Sequence, residues 1–249
     1  MRNKFRISVI IPAVDEERSI SKVIAEIPDW VDEIIVVDNG SKDKTADEAR
    51  SAGAKLLNES RPGYGSACLT GIAGSDNPDI VVFLDGDYSD YPQEMALLVD
   101  PVVNGSADLV IGSRVLGQAQ KGALSPQARF GNWLACKLIR LFWGVRFTDL
   151  GPFRAIRFST FKRLDMRDPN YGWTVEMQIK AAQKDMRAIE VPVSYRKRIG
   201  KSKVSGTLRG VILAGIKILT IIFASAVGLE WNRSQEKSVK AETQTKSRH

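Results

Sequence analysis

Histidine is all but missing. The only one in 249 residues is the terminal His249, and the two cysteines, Cys68 and Cys136, have neither a CxxC spacing nor a histidine beside them. Those scarcities exclude zinc chemistry and a histidine general base. No apolar leader precedes the first strand pattern, since Met1 to Arg6 runs directly into Ile7. With two scattered thiols this makes a reducing, cytoplasmic location the expectation. Acid is also absent over one long stretch: between Glu190 and Glu230 there is no Asp or Glu, but there are seven bases, Arg196, Lys197, Arg198, Lys201, Lys203, Arg209 and Lys217. The turn Gly63-Tyr64-Gly65-Ser66 lacks the full spacing and the lysine of a phosphate-binding P-loop, so that enzyme class is disfavoured. It precedes a helix and can lie close to a bound nucleotide, or be a purely conformational turn. No internal repeat is visible.

What is present begins with residues 80 to 92, an apolar run, Ile-Val-Val-Phe-Leu, that stops abruptly at Asp85-Gly86-Asp87. A bend at Gly86 can turn both carboxylates toward one divalent cation, and hard oxygen ligands of this kind suit Mg²⁺ or Mn²⁺ together with nucleotide phosphates. The plainer alternative is a polar turn after a buried strand.

The first half of the chain alternates β-branched runs with helical patterns: Ile7–Ile11, Ile20–Ile27, Glu33–Val37, Thr45–Ala52. Further strands are expected at Lys55–Leu57, Ile80–Leu84 and Asp108–Ile111. This is the rhythm of a mostly parallel, Rossmann-like α/β sheet flanked by helices. Thr45 and Glu48 read as a capping box, with Gly53 closing that helix. In such sheets ligands gather at the carboxyl ends of the strands, where the clusters 12–17, 38–44 and 85–90 converge. From Leu116 to Thr148 the chain turns basic and aromatic, as an acceptor-facing half would. A helix is expected over Trp173–Lys184, with Val175, Ile179, Ala182 and Met186 as its buried stripe, and a strand ending at 192–195.

Residues 211–229 form the longest apolar run, interrupted by Lys217. A spanning helix needs about 20 apolar residues, and Lys217 favours a helix lying on a bilayer surface with the upstream bases on anionic headgroups. The alternative is a helix packed on the catalytic domain or in a dimer. The expected organisation is a catalytic domain over 1–206, an apolar membrane-associating helix over 207–230, and a disordered polar tail over 231–249. A net charge of +7 and a pI near 9.4 call for an anionic partner. Because the bases adjoin an apolar helix and form no aromatic-interleaved stripe, nucleic acid is not expected to be that partner.

Taken in order, the runs Val9–Glu17, Val36–Thr45, Asp85-Gly86-Asp87, Gly112-Ser113-Arg114, Asp149–Arg154, Tyr195–Arg198 and Lys201–Lys203 resemble those of family-2 glycosyltransferases of GT-A fold. Within that family they are most similar to the polyprenyl- and dolichyl-phosphate mannose or glucose synthases. The resemblance implies that Pro12, Glu16 and Asp38 contact a UDP- or GDP-hexose, with Asp38 near the base or ribose. It implies that Asp85 lies near ribose and metal and that Asp87 ligates the metal. Arg114, Arg129 and Arg198 would bind phosphate oxygens, and Lys203 belongs to the same donor-binding set. It also implies inverting transfer to a polyprenyl phosphate at the cytoplasmic face of the membrane. The chain departs from the family pattern at Asp15, Asn39, Ser89, Asp90 and Gly151–Arg154.

A phosphate acceptor is already an anion and needs positioning more than a base. A hydroxyl acceptor would need a carboxylate to take its proton, for which Glu176 is the candidate, unless it is merely paired with Lys180 at i, i+4. Besides the soluble-acceptor alternative, a membrane adaptor that binds nucleotide-sugar without turnover remains open. Sequence leaves the oligomeric state unknown.

Overall fold

The computed structural model describes residues 1–200 and 208–228. The elements are β1 (Ile7–Ala13), α1 (Ile20–Ala25), β2 (Glu33–Asp38), α2 (Thr45–Ser51), β3 (Lys55–Asn58), α3 (Tyr64–Ala73), β4 (Ile80–Phe83) and, after a 3₁₀ turn at Pro92–Glu94, α4 (Met95–Val103). They continue with β5 (Leu109–Ser113), α5 (Pro126–Trp143), β6 (Arg154–Arg157), α6 (Phe158–Leu164), α7 (Trp173–Gln183), β7 (Ala188–Pro192) and α8 (Leu208–Ala226). The seven strands make one sheet in the order β3-β2-β1-β4-β6-β5-β7. All pairs are parallel except those of β6, which runs antiparallel to β4 and β5.

Alternation along the strands builds two cores, one on each face. Ile10, Ile35, Val37, Phe83 and Ile111 face α3, α5, α6 and α7, where Phe83, Phe161 and Trp173 stack at centroid separations of 5.7–6.1 Å. Val9, Ile11, Val36, Val82 and Val110 face α1, α2 and α4. The antiparallel β6 decides the site. Its first residue, Arg154, lies opposite Phe83 of β4 and Ile111 of β5, so the loop before it, 149–153, arrives at the same edge as the carboxyl ends of the parallel strands.

Some expectations are corrected. Thr45 is the first helical residue of α2 and caps nothing through its side chain. Its amide is taken by Asp43 Oδ1 at 3.0 Å, and its buried hydroxyl accepts from Glu16 N at 2.7 Å. Asp43 thus supplies the oxygen assigned to Thr45, one more result of Asp competing for nearby amides. On α7 the buried residue is Ala181, with Ala182 only partly covered. Strand β7 ends at Pro192, and Tyr195 makes isolated bridges instead.

The apolar run does fold as a helix, α8, packed on α5 and α7 with Ile221 and Ile222 buried. Lys217 Nζ lies 2.8 Å from the fully buried carboxylate of Asp168. The interruption that spoils the run as a membrane span is therefore an ion pair that fastens the helix to the domain. Among the described residues no helix is long and apolar enough to cross a membrane. Lys203 and the tail from 231 onward lie outside the described residues.

Candidate active site

Three carboxylates crowd the end of β4. Asp87 and Asp90 are each 2 % exposed, and Asp85 has a buried Oδ1 with no hydrogen-bond partner, as do both oxygens of Asp90. Asp87 Oδ1 accepts from the Ser89 amide at 2.9 Å and from the Ser89 hydroxyl, while its Oδ2 is ion-paired with Arg198. Burial and then the repulsion of Asp87 push the Asp85 carboxyl up to about 7, against the pull of Arg198. Burial, followed by Asp85 and Asp87, holds Asp90 well above the usual carboxylate range. Buried, unpartnered and mutually repelling oxygens are what a divalent cation would relieve. No three Asp, Glu, His or Cys side chains converge as a complete cation cage among the described residues. That suits Mg²⁺, which takes one or two carboxylates and fills its shell with water and substrate phosphates.

Beside the acids stands Arg114, at the end of β5. Its amide and Nε each reach Asp149 Oδ2 at 2.8 Å, and an Nη reaches Oδ1 at 2.7 Å, a bidentate pair with Asp149 1 % exposed. Burial pulls the guanidinium down, but Asp149 more than restores it, so it stays above the ordinary arginine value. The loop carrying Asp149 is held from two sides. Glu190 accepts from the amides of Thr148 and Asp149 at 2.8–2.9 Å, and Asn132 of α5 brackets it through Thr148 O at 2.9 Å and Leu150 N at 2.7 Å.

From Arg114 a cleft of about 950 Å³ opens along α5. Arg114, Lys121, Arg129, Lys137, Arg140 and Arg146 line it with Leu124, Phe130, Trp133 and Phe147, and the only acid on its wall is Asp149. The helix is well specified: Ser125 caps it by accepting from Ala128 N at 3.2 Å, Pro126 opens it, and Gly144 ends it at φ +73°. Its apolar outer side continues into α8, since the rings of Phe142 and Phe223 lie 5.7 Å apart.

A family model for glycosyl transferase family 2 matches residues 8–165. The chain belongs to that family. An uncharacterized glycosyltransferase of Mycobacterium tuberculosis is 36% identical over 218 residues, 87% of this chain and 97% of that one. An undecaprenyl-phosphate mannosyltransferase of Micrococcus luteus is 29% identical over 226 residues, 85% and 92% of the two chains. Among solved structures, glucosyl-3-phosphoglycerate synthase of M. tuberculosis, in complex with Mn²⁺, UDP-glucose and phosphoglyceric acid, is 25% identical with a TM-score of 0.71, covering 92% of this chain and 82% of that one.

In this glycosyltransferase Pro12, Glu16, Asp38 and Asp85, four of the residues expected to contact the donor, lie at or just beyond the carboxyl ends of β1, β2 and β4. Pro12 lies in β1, and Asp38 ends β2, where its Oδ1 accepts from Ser41 N at 3.0 Å. Glu16 is buried, takes the Ser19 hydroxyl at 2.9 Å and stands 3.8 Å from Arg198. Arg129 is exposed on the cleft wall. Glu176 goes elsewhere: its oxygens accept from Arg167 N and Asp168 N at 2.8–3.2 Å and pair with Lys180 at 2.7 Å, and it does not line the cleft. Two departures from the family pattern tie loops together. Asn39 donates to the carbonyls of Glu59 and Arg61 and accepts from Gly63 N, a combination no aspartate could make, and Asp15 accepts from Lys42 N. Sequence placed the bases Lys121, Lys137, Arg140 and Arg146 in the acceptor-facing stretch without a role for each, and it assigned none to Asp149. The signal for Lys137 and Arg140 was the Ser-Pro…Gly bracket around 125–144, which marks a helix and sets their spacing, while Lys121 and Arg146 flank it.

Proposed function

We propose that the enzyme moves a hexose from a UDP- or GDP-sugar to a polyprenyl phosphate at the cytoplasmic face of the membrane, with inversion at the anomeric carbon. The observation that carries this reading is the cleft: six cationic side chains and a row of aromatic and aliphatic ones, joined to the carboxylate edge through Arg114. A phosphate needs the first set and a hydrocarbon chain the second. In this reading Pro12, Glu16 and Asp38 hold the nucleotide. Asp85 and Asp87 hold Mg²⁺ or Mn²⁺, which offsets the charge gathering on the departing diphosphate.

Arg114 and Arg198 bind phosphate oxygens, joined by Arg129 from the cleft wall, because a fixed guanidinium fork fits that geometry, and Lys203 adds an ammonium charge to the donor-binding set. An acceptor oxygen forms the new bond to the anomeric carbon as the bond to the diphosphate breaks, and the electron pair leaves with the nucleoside diphosphate. No proton has to move, so the want of a histidine is no handicap. Residues 1–206 then form the catalytic unit and 207–230 the membrane-associating helix, ahead of a polar tail.

A second reading, a soluble acceptor bearing an anionic group, is favoured by the Lys217–Asp168 pair and the buried Ile221 and Ile222, which seat α8 on the domain. Glu176 as base for a hydroxyl finds less support, since its oxygens are already engaged. One experiment separates the readings: vesicles with a short polyprenyl phosphate, Mn²⁺ and each labelled UDP- or GDP-hexose, with Asp87→Ala as control. Asp87-dependent label in the organic phase supports the lipid acceptor, and label passing only to phosphoglycerate or another soluble anion overturns it.

A further inference from the structure

Arg196 was counted above only among the loop's bases and the Tyr195–Arg198 run, yet its side chain is held on several sides at this edge. Its Nε donates to Tyr88 O at 2.6 Å, and an Nη donates to Asp90 O at 3.1 Å and pairs with Glu26 Oε2 at 2.6 Å. The guanidinium carbon sits 3.3 Å from the Tyr88 ring centroid and 4.3 Å from that of Tyr91. Tyr88 also donates its hydroxyl to Glu26. Arg196 thus holds both the backbone and the rings of residues 88–91 while Glu26 of the α1 C-terminus fixes it from behind.

The held segment needs holding. Tyr88 has φ +67°, a left-handed conformation that a bulky aromatic residue adopts only when its surroundings impose it. It follows Asp87 directly, so releasing it would redirect that carboxylate. Backbone bonds register the partner segment beside it: Arg196 N donates to Ser89 O and Ile199 N to Asp87 O, both at 2.9 Å, and Asp90 bridges Tyr195. With 195–199 laid along 87–90 in this way, Arg198 meets Asp87.

We propose that Arg196 is a positioning residue, a clamp that fixes the metal-carboxylate turn and Arg198 in one geometry without touching substrate. The inference rests on the reading of Asp85 and Asp87 as holders of a divalent cation. The side chain does its work by shape: the fork reaches two carbonyls and a carboxylate at once while its plane lies on two rings, which an ammonium cannot reproduce.

The test measures Mn²⁺ affinity by electron paramagnetic resonance, with and without UDP, on the wild type and on Arg196→Met, Arg196→Lys and Glu26→Gln, with thermal unfolding of each. Arg196→Met should weaken Mn²⁺ binding by roughly 10- to 100-fold, the usual cost of losing a group that orients ligands. Arg196→Lys should resemble it despite keeping the charge, and Glu26→Gln should shift affinity the same way by less. If Arg196→Met does not fold, Glu26→Gln and Arg196→Lys carry the same prediction. Unchanged Mn²⁺ affinity in the folded variants, or full rescue by lysine, overturns the clamp while leaving the metal reading intact. A wild type that binds no Mn²⁺, even with UDP, overturns that reading and the clamp with it.

Discussion

At the sheet edge the acidic side chains are held close together with little water: Asp87 and Asp90 are 2 % exposed, and Asp87 is fixed by the Ser89 amide and Arg198. Along the cleft the bases Arg129, Lys137, Arg140 and Arg146 are exposed, and three of the four stand on a single helix, α5. The first region stores unfavourable electrostatics that a divalent cation would relieve. The second offers flexible charge at little cost to stability. Arg114 and Asp149 form the seam between the two regions.

Cutting the seam should have the largest effect. Arg114→Met leaves the Asp149 carboxylate buried and unpaired, at a cost of about 3 kcal/mol or more in unfolding by urea. It should also lower transfer by roughly a hundredfold or more, because a preorganised phosphate-binding charge is lost. The double variant Arg114→Met/Asp149→Leu removes both charges and should regain much of the stability without regaining transfer. Recovery of both would mean that the pair only supports the fold.

The second fastening is Lys217–Asp168. Asp168 also accepts from Asn170 N and Gly172 N at 2.8–3.0 Å, so Lys217→Met strands a buried carboxylate that keeps some of its partners. A loss of about 2 kcal/mol is expected. If α8 serves chiefly to dock on lipid, vesicle binding should survive the substitution. Loss of activity toward a soluble acceptor would instead favour the packed-helix reading.

These two seams also mark where the sequence was legible. Strands β1, β2 and β4 and the clusters at their ends were readable because β-branched runs ending in Asp or Pro announce a buried strand and its exit, and β3 and β5 were readable as short apolar runs between helical patterns. Strand β6 was not, since Arg-Ala-Ile-Arg has no such run: Arg154 is fully buried, donating to the carbonyls of Leu150, Gly151 and Thr174, and burial holds it down to about 10. Its antiparallel insertion is a tertiary fact that periodicity does not carry. Glu176 and Lys217 show the same limit from the other side. The i, i+4 pairing of Glu176 with Lys180 was one of two readings of the chain, but its bonds to Arg167 N and Asp168 N depend on a turn that no spacing predicts.

The pH dependence sharpens the comparison further. Asp85 is the group held up to about 7, so between about pH 4 and pH 7 the folded protein binds a proton there that the unfolded chain has released. Its contribution to the stability of the metal-free protein is therefore full below about pH 4 and lost as pH rises through about 7. A cation has to displace that proton. Mn²⁺ affinity should rise by up to about tenfold per pH unit through this window and level off above it. A flat metal profile would mean that Asp85 is ionised throughout.

The smallest effect is expected where the cleft meets the surface. Phe130 and Trp133 are 63% and 53% exposed, their ring centroids 5.9 Å apart, on the same helix as Lys137 and Arg140. Replacing both with serine removes apolar area that water already touches, so stability should change by no more than about 0.5 kcal/mol. If the rings enter a bilayer, each should contribute roughly 1 kcal/mol to binding anionic vesicles, seen as a several-fold loss in sedimentation per ring. Transfer to a water-soluble short-chain acceptor should fall by less, because such an acceptor carries less hydrocarbon for the two rings to touch. Equal losses with vesicles and with the soluble acceptor would make the two rings part of the acceptor's own wall, and the boundary between the two regions would then lie farther out along α5.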